Sequence, residues 1–186
     1  MPARAAKLLV GLGNLLKRDE GVGVVVAQRL SRRRLPPDVQ VHEAGTSALD
    51  LADYLEGRRL VVVVDALESG GPPGAVYRFF PDQLRPCVRS GWSLHDLHFL
   101  DALNEVRLIG DAPREVVIFA VQVADSTTGI GLSAPVRRAL PRLLTLVADE
   151  LGLRASVPER RAAKTSMERP DGVRVGESLS EDEPWN

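Results

Sequence analysis

Residues 11–23 read GLGNLLKRDEGVG and directly follow the apolar run KLLV at residues 7–10. An apolar run that breaks into a glycine-rich turn and then into the apolar segment 22–30 predicts a strand, a turn and a helix. The turn delivers Asp19 and Glu20 to the carboxyl end of the strand. Two adjacent carboxylates repel a phosphate and attract a cation. This stretch therefore predicts a site for a metal ion or a protonated partner, and not for a nucleotide.

The segment 60–64 reads LVVVV and ends at Asp65 without any polar alternation, which is typical of a parallel strand covered on both faces. Similar runs alternate with helical segments along the chain. The predicted strands are residues 8–12, 39–42, 60–64, 76–80 and 116–121, of which 76–80 is expected as an antiparallel edge. The predicted helices are 22–30, 46–55, 96–106 and 134–151. The pattern predicts an α/β fold, a three-layer sandwich whose twisted, mostly parallel sheet of about five strands has helices on both faces.

Composition excludes several classes of partner. The 186 residues carry 24 basic and 25 acidic side chains, a net charge of −1, which does not favour nucleic acid or an anionic membrane. No apolar stretch approaches the roughly 20 residues of a membrane span, and the first residues do not resemble a signal peptide. The single cysteine, Cys87, excludes an intrachain disulfide and a cysteine zinc site. We expect a cytoplasmic, monomeric protein.

The character of the sequence changes near residue 155. The segment 155–186 is charged, poor in large apolar side chains and interrupted by prolines. Such a segment cannot bury enough apolar surface to offset the entropy of ordering it. We therefore predict one α/β domain over residues 1–154 and a disordered tail over 155–186.

Four side chains are expected at the carboxyl ends of the predicted strands, where open α/β sheets bind ligands. Asp19 and Glu20 follow the first strand, Asp65 ends the valine run, and His95 lies in a polar turn that enters a helix. Carboxylates and an imidazole suit a borderline divalent ion such as nickel, zinc or manganese. The residues come from three separate loops, so no local spacing identifies the ligand set.

Each of these residues also has a structural explanation. Asp19 could cap the following helix, and Glu20 in its first turn would favour the helix dipole. Asp65 could be a turn or cap residue at the end of its strand. His98, three residues after His95, lies on a similar helix face and is a rival ligand.

Three other positions are interpreted as structural. His42 lies inside a predicted strand and is expected as a packed or edge histidine. Cys87 has no paired base nearby in the sequence and is expected to be inert. Leu16 occupies the position of the third glycine in a GxGxxG loop, which argues against a nicotinamide or flavin site.

The stretch GLGNLLKRDEGVG resembles the opening motif of the hydrogenase maturation proteases, a strand followed by GxGNxLxxD(D/E)GxG. Further matches follow in the order of that family, and the resemblance spans about residues 7–151. They are Gly45-Thr46, Val64-Asp65-Ala66, Ser93-x-His95 and Gly129-x-Gly131-Leu132-Ser133.

The resemblance implies an endopeptidase that removes a C-terminal peptide from the nickel-loaded precursor of a nickel–iron hydrogenase large subunit. Glu20, Asp65 and His95 would then contact the nickel, and His98 would not. The metal would belong to the precursor, and no organic cofactor is implied. Hydrolysis would proceed without a covalent intermediate, either through the metal or with a carboxylate such as Asp19 or Asp65 as general base.

The chain departs from the family pattern at two loops expected to shape the substrate groove. It has AVQVA at residues 120–124 where the family often has GIQPE, and EAGT at 43–46 where the family often has DGGT. These departures leave an alternative open, a module that binds nickel or the hydrogenase precursor without cleaving it.

Overall fold

The computed structural model describes residues 5–46, 51–84 and 94–153, with the backbone alone for 84 and 94–98. Cys87, Ser93 and the predicted tail, 155–186, lie outside the described residues, so the predictions made for them stay predictions. The domain boundary at residue 154 likewise stays a prediction. In the described part of the chain, no helix has the length and apolar character that crossing a membrane requires.

The described residues form five strands and five helices, in an order that alternates as the sequence predicts. The strands are β1 (Lys7–Leu12), β2 (Val39–Gly45), β3 (Leu60–Leu67), β4 (Val76–Phe79) and β5 (Glu115–Gln122). The helices are α1 (Val22–Ser31), α2 (Leu51–Leu55), α3 (Pro81–Leu84), α4 (Leu94–Ile109) and α5 (Ala134–Glu150), and a single 3-10 turn, Arg18–Gly21, precedes α1. Helix α3 is an element that the sequence analysis missed.

The strands form one sheet in the order β2-β1-β3-β5-β4. All neighbouring pairs are parallel except β4 and β5, which pair antiparallel at one edge of the sheet. The predicted α/β class, with a mostly parallel sheet and an antiparallel edge strand, is therefore confirmed. Strand β3 is longer than predicted, because its pairing with β5 continues past Asp65 to the pair Leu67 and Gln122.

Helices cover both faces of the sheet, because successive residues of a buried strand point to opposite sides. Val62 and Val64 of β3 lie in one core with apolar side chains of α1 and α5. Val61 and Val63 lie in a second core with apolar side chains of α2 and α4. Every residue of β3 is buried, which explains the uninterrupted valine run.

Glycines allow α1 to approach the sheet at backbone distance. A Cβ on Gly23 would collide with the carbonyl oxygens of Val64 and Leu12, and a Cβ on Gly11 would collide with the carbonyl oxygen of Gly23. Gly13 has a φ of +117° and lies against the carbonyl oxygen of Glu20. The glycines of the opening motif thus hold the acidic turn against the ends of β1 and β3.

Gly23→Ala tests this close contact. We expect a loss of about 1–3 kcal/mol in the free energy of unfolding, because the new methyl group meets backbone atoms that cannot rotate away. Urea denaturation of the full chain measures the change. Arg29→Ala, an exposed substitution on the same helix, should change stability by less than about 0.5 kcal/mol; equal effects of the two would contradict the packing argument.

Candidate active site

The candidate site lies where the direction of chain connection reverses. From β1 the chain passes to β2 on one side, and it returns to β3 on the other side of β1. The carboxyl ends of β1 and β3 therefore flank a topological switch point, which is where open α/β sheets bind ligands. Glu20 follows β1, and Asp65 lies near the carboxyl end of β3.

Glu20 belongs to the 3-10 turn that packs against β3. Its side chain is 16% exposed, and the Lys17 ammonium lies 3.2 Å from Glu20 Oε1. The first turn of α1 contains no acidic residue. The expectation that Glu20 sits in the first turn of α1 is therefore wrong, because the 3-10 turn precedes the helix.

Asp65 is 1% exposed and lies within β3, opposite Ala120 of β5. Its Oδ1 accepts a hydrogen bond of 2.7 Å from the backbone N–H of Ala66. The interpretation of Asp65 as a turn or cap residue is wrong, because the strand continues for two residues after it. The side chain thus projects from a paired central strand beside the switch point.

The backbone of His95 lies in the first turn of α4, and its side chain, like that of His98, is not among those described. Among the side chains that the structure describes, no three His, Cys, Asp or Glu residues lie together as potential metal ligands. The grouping of His95 with the two carboxylates therefore stays a prediction. His42 stacks on the Tyr54 ring with centroids 3.8 Å apart, so its interpretation as a packed histidine is confirmed.

Asp19 is fully buried and joins two loops. Its Oδ2 accepts hydrogen bonds from the backbone N–H groups of Ala124 (2.9 Å) and Asp125 (3.0 Å), and its Oδ1 accepts one from Ser133 (2.6 Å). The N-cap residue of α1 is Gly21, and no side chain caps this helix. The alternative in which Asp19 caps the following helix is therefore wrong, because its carboxylate bonds the loop between β5 and α5.

Backbone contacts reinforce the same junction between the acidic turn and the loop from β5 to α5. Arg18 N–H donates to the Gly129 carbonyl (2.9 Å), and Gly129 N–H donates to the Leu16 carbonyl (2.8 Å). The Arg18 guanidinium lies 3.2 Å from Asp125 Oδ2. Ser133 is the N-cap residue of α5 by position, but its hydroxyl makes no capping bond. Instead, its backbone N–H bonds Asp19.

Asp125 stabilises the start of this loop in its ionised form. The Thr127 hydroxyl donates to Asp125 Oδ1 at 2.6 Å and the Thr127 N–H donates at 3.0 Å. These two bonds, and then the nearby Arg18 guanidinium, lower the pKa of Asp125 below the ordinary value of an aspartate. The folded loop therefore favours the carboxylate over the carboxylic acid.

Gln122 organises the opposite side of the candidate site, a role that the sequence analysis missed. Its buried Oε1 accepts hydrogen bonds from Ser69 N–H (3.1 Å), the Ser69 hydroxyl (2.8 Å) and Gly71 N–H (3.3 Å). One amide at the end of β5 thus fixes the loop that follows β3. The sequence signal that could have indicated this role is the position of Gln122, a polar residue at the end of the apolar run of β5.

Comparisons with known proteins identify a family to which the chain is similar. Residues 24–150 match the family model described as hydrogenase maturation protease. The chain is 31% identical over 159 residues to the hydrogenase expression/formation protein HupD of Bradyrhizobium diazoefficiens, covering 84% of this chain and 83% of that protein. It is 27% identical to the hydrogenase 2 maturation protease of Escherichia coli K12, covering 77% and 89% respectively.

A solved structure has the same fold. The hydrogenase maturating endopeptidase HybD from E. coli superposes with a TM-score of 0.74 at 26% identity, covering 79% of this chain and 92% of that one. The agreement includes the α/β architecture that carries the switch point between β1 and β3. The region that the family model matches contains Asp65 and His95, and it begins four residues after Glu20.

Asp19→Asn tests the junction. The asparagine NH₂ group would face at least one backbone N–H that now meets a carboxylate oxygen, so we expect a loss of about 3 kcal/mol in the free energy of unfolding. Urea denaturation measures the loss, and hydrogen exchange should show faster exchange at the amides of Ala124, Asp125 and Ser133. Asp53→Asn, at an exposed position of α2, is the control. Unchanged exchange at those three amides would refute the tether.

Asp125→Ala tests the electrostatic part of the loop. Because the folded pKa of Asp125 lies below its unfolded value, its carboxylate contributes stability above about pH 4 and loses that contribution as the pH falls through the folded pKa. The stability difference between native protein and Asp125→Ala should be constant from pH 7 to about pH 5 and shrink below about pH 4. Urea denaturation over this range measures it; a difference that grows in acid would contradict the assignment.

Proposed function

The chain belongs to the hydrogenase maturation protease family, and from that premise we propose that it removes a C-terminal peptide from the nickel-loaded precursor of a nickel–iron hydrogenase large subunit. The observation that carries the proposal is the position of Glu20, in the turn that follows β1, and of Asp65, in β3, next to the switch point. A peptidase of this kind needs a place where a metal-bearing segment of its substrate can enter. The carboxyl ends of β1 and β3 offer carboxylates at such a place.

Recognition of nickel would be the task of Glu20, Asp65 and His95. Two carboxylates and one imidazole match the oxygen and nitrogen donors that borderline divalent ions accept. The nickel is part of the substrate, so a precursor without it would lack the contacts that orient the scissile peptide bond. Orientation of the reacting groups is a large part of the rate enhancement in such reactions, which makes cleavage depend on the metal.

The two described carboxylates would engage the metal in sequence. Glu20 keeps part of its side chain exposed, whereas Asp65 is buried at 1% exposure. An incoming metal would therefore meet Glu20 first and reach Asp65 as the precursor segment settles against the ends of β1 and β3. Because both residues lie on backbone fixed by strand pairing or by the glycine contacts, the distances are set before the substrate arrives.

The chemical step would be hydrolysis by water. The water oxygen attacks the scissile carbonyl carbon, the C–N bond breaks, and the water proton passes through a base to the leaving amine. The metal can polarise the carbonyl or the water, and a carboxylate can take the proton. Asp19 accepts three backbone hydrogen bonds and is fully buried. These bonds favour a positioning role for Asp19, so we assign the base to Asp65.

Glu20→Gln tests the proposal on the cognate precursor, in nickel-loaded and nickel-free forms. Electrophoretic mobility should show that the native protein shortens the nickel-loaded form alone. The variant should process it about a hundredfold more slowly or not at all, because the metal contact positions the peptide bond. Its thermal stability should change little, since Glu20 pairs only with a half-exposed lysine among the described side chains.

Glu105→Gln is the matched control, because it makes the same chemical change at an exposed position of α4. It should cleave at the native rate. His95→Ala should lose processing as Glu20→Gln does. Nickel-dependent complex formation without shortening by the native protein would contradict the proposal and indicate a binding module.

A further inference from the structure

We propose that Lys17 is an internal cation that occupies Glu20 until a divalent metal ion displaces it, and that Lys17 thereby sets the affinity of the site for metal. The inference deepens the proposed function and rests on the role assigned there to Glu20 as a metal ligand. It concerns a residue that has no part in the hydrolysis itself. The observation behind it is the difference between the two neighbouring carboxylates of the acidic turn.

Asp19 and Glu20 are adjacent in sequence and have opposite surroundings. The Asp19 carboxylate is buried and bonded to three backbone N–H groups, none of which can leave without opening the loop. The Glu20 carboxylate is bonded to the Lys17 ammonium, 3.2 Å away, at the end of a flexible side chain. Among the described side chains, Lys17 is the partner of Glu20. The Asp19 carboxylate is therefore held by the backbone, whereas the Glu20 carboxylate can exchange its lysine for another cation.

The backbone holds Lys17 where its ammonium meets Glu20. Lys17 N–H donates to the Asn14 carbonyl (3.0 Å), and Glu20 N–H donates to the Lys17 carbonyl (3.0 Å). Lys17 also forms an isolated parallel bridge with Gly129. The next cation along the chain, Arg18, lies beside Asp125 instead. Lys17 is thus the basic group of this turn that is directed to the candidate metal carboxylate.

Displacement of Lys17 needs no change in the fold. The lysine side chain is 49% exposed, so its ammonium can return to water at small cost, as is usual for ion pairs at a surface. A divalent ion that several ligands hold offers Glu20 a stronger interaction than this single monovalent group does. The lysine would therefore yield to a fully coordinated metal while keeping weakly held cations away from Glu20.

Calorimetric titration of the full-length protein with Ni²⁺ at low ionic strength tests the inference. Four proteins are compared: native, Lys17→Met, Glu20→Gln and the double variant. Lys17→Met should bind Ni²⁺ about two- to fivefold more tightly, because the metal no longer competes with the ammonium. Glu20→Gln should weaken binding, and adding Lys17→Met to Glu20→Gln should produce no gain. The gain should also diminish at higher salt.

Arg29→Met is the matched control, since it removes one positive charge from an exposed position of α1 and should leave Ni²⁺ affinity unchanged. Equal affinity of the native protein and Lys17→Met, no Ni²⁺ binding by Lys17→Met, or the same gain in the Glu20→Gln background would each overturn the inference. Precursor cleavage is scored separately. Tighter Ni²⁺ binding by Lys17→Met, together with no cleavage by the native protein, would support the role of Lys17 and refute the proposed function. Unchanged Ni²⁺ binding by Lys17→Met, together with cleavage by the native protein, would refute the role of Lys17 and leave the proposed function standing.

Discussion

The buried carboxylate of Asp19 is the interaction on which the candidate site depends. Burial of a charge is costly unless hydrogen bonds replace the lost water, and here three backbone N–H groups do so. All three belong to the segment between β5 and α5, which has no regular structure of its own. The Asp19 side chain therefore fixes that segment to the acidic turn. The same turn holds Glu20 beside β3.

The end of β5 organises the loops on both sides of the candidate site. On one side, the residues that follow Gln122 give their N–H groups to Asp19. On the other side, the Gln122 side-chain oxygen accepts hydrogen bonds from the backbone N–H groups of Ser69 and Gly71. Strand β5 supplies no proposed metal ligand, but it positions the loops around the elements that carry the proposed ligands. This arrangement gives the peptidase a rigid frame around the candidate site.

Apolar patterning was sufficient to predict the sheet, because an uninterrupted run such as LVVVV in β3 reports burial on both faces directly. The strand end was misplaced at Asp65, since pairing with β5 continues through polar residues as readily as through apolar ones. The role of Asp19 could not be predicted, because its partners are backbone groups, which every residue carries. The motif from Gly129 to Ser133 was the sole local sign, and it marks the loop without revealing what holds it.

The bonds of Asp19 also constrain the order in which the molecule forms. They join residues separated by 105, 106 and 114 positions in the chain. Contacts of such long sequence separation form late in folding, after the entropy of closing large loops has been overcome. During synthesis, the acidic turn emerges early, yet it cannot reach its final geometry until Ser133 has left the ribosome. The unfinished chain therefore lacks the assembled junction between the acidic turn and the loop from β5 to α5.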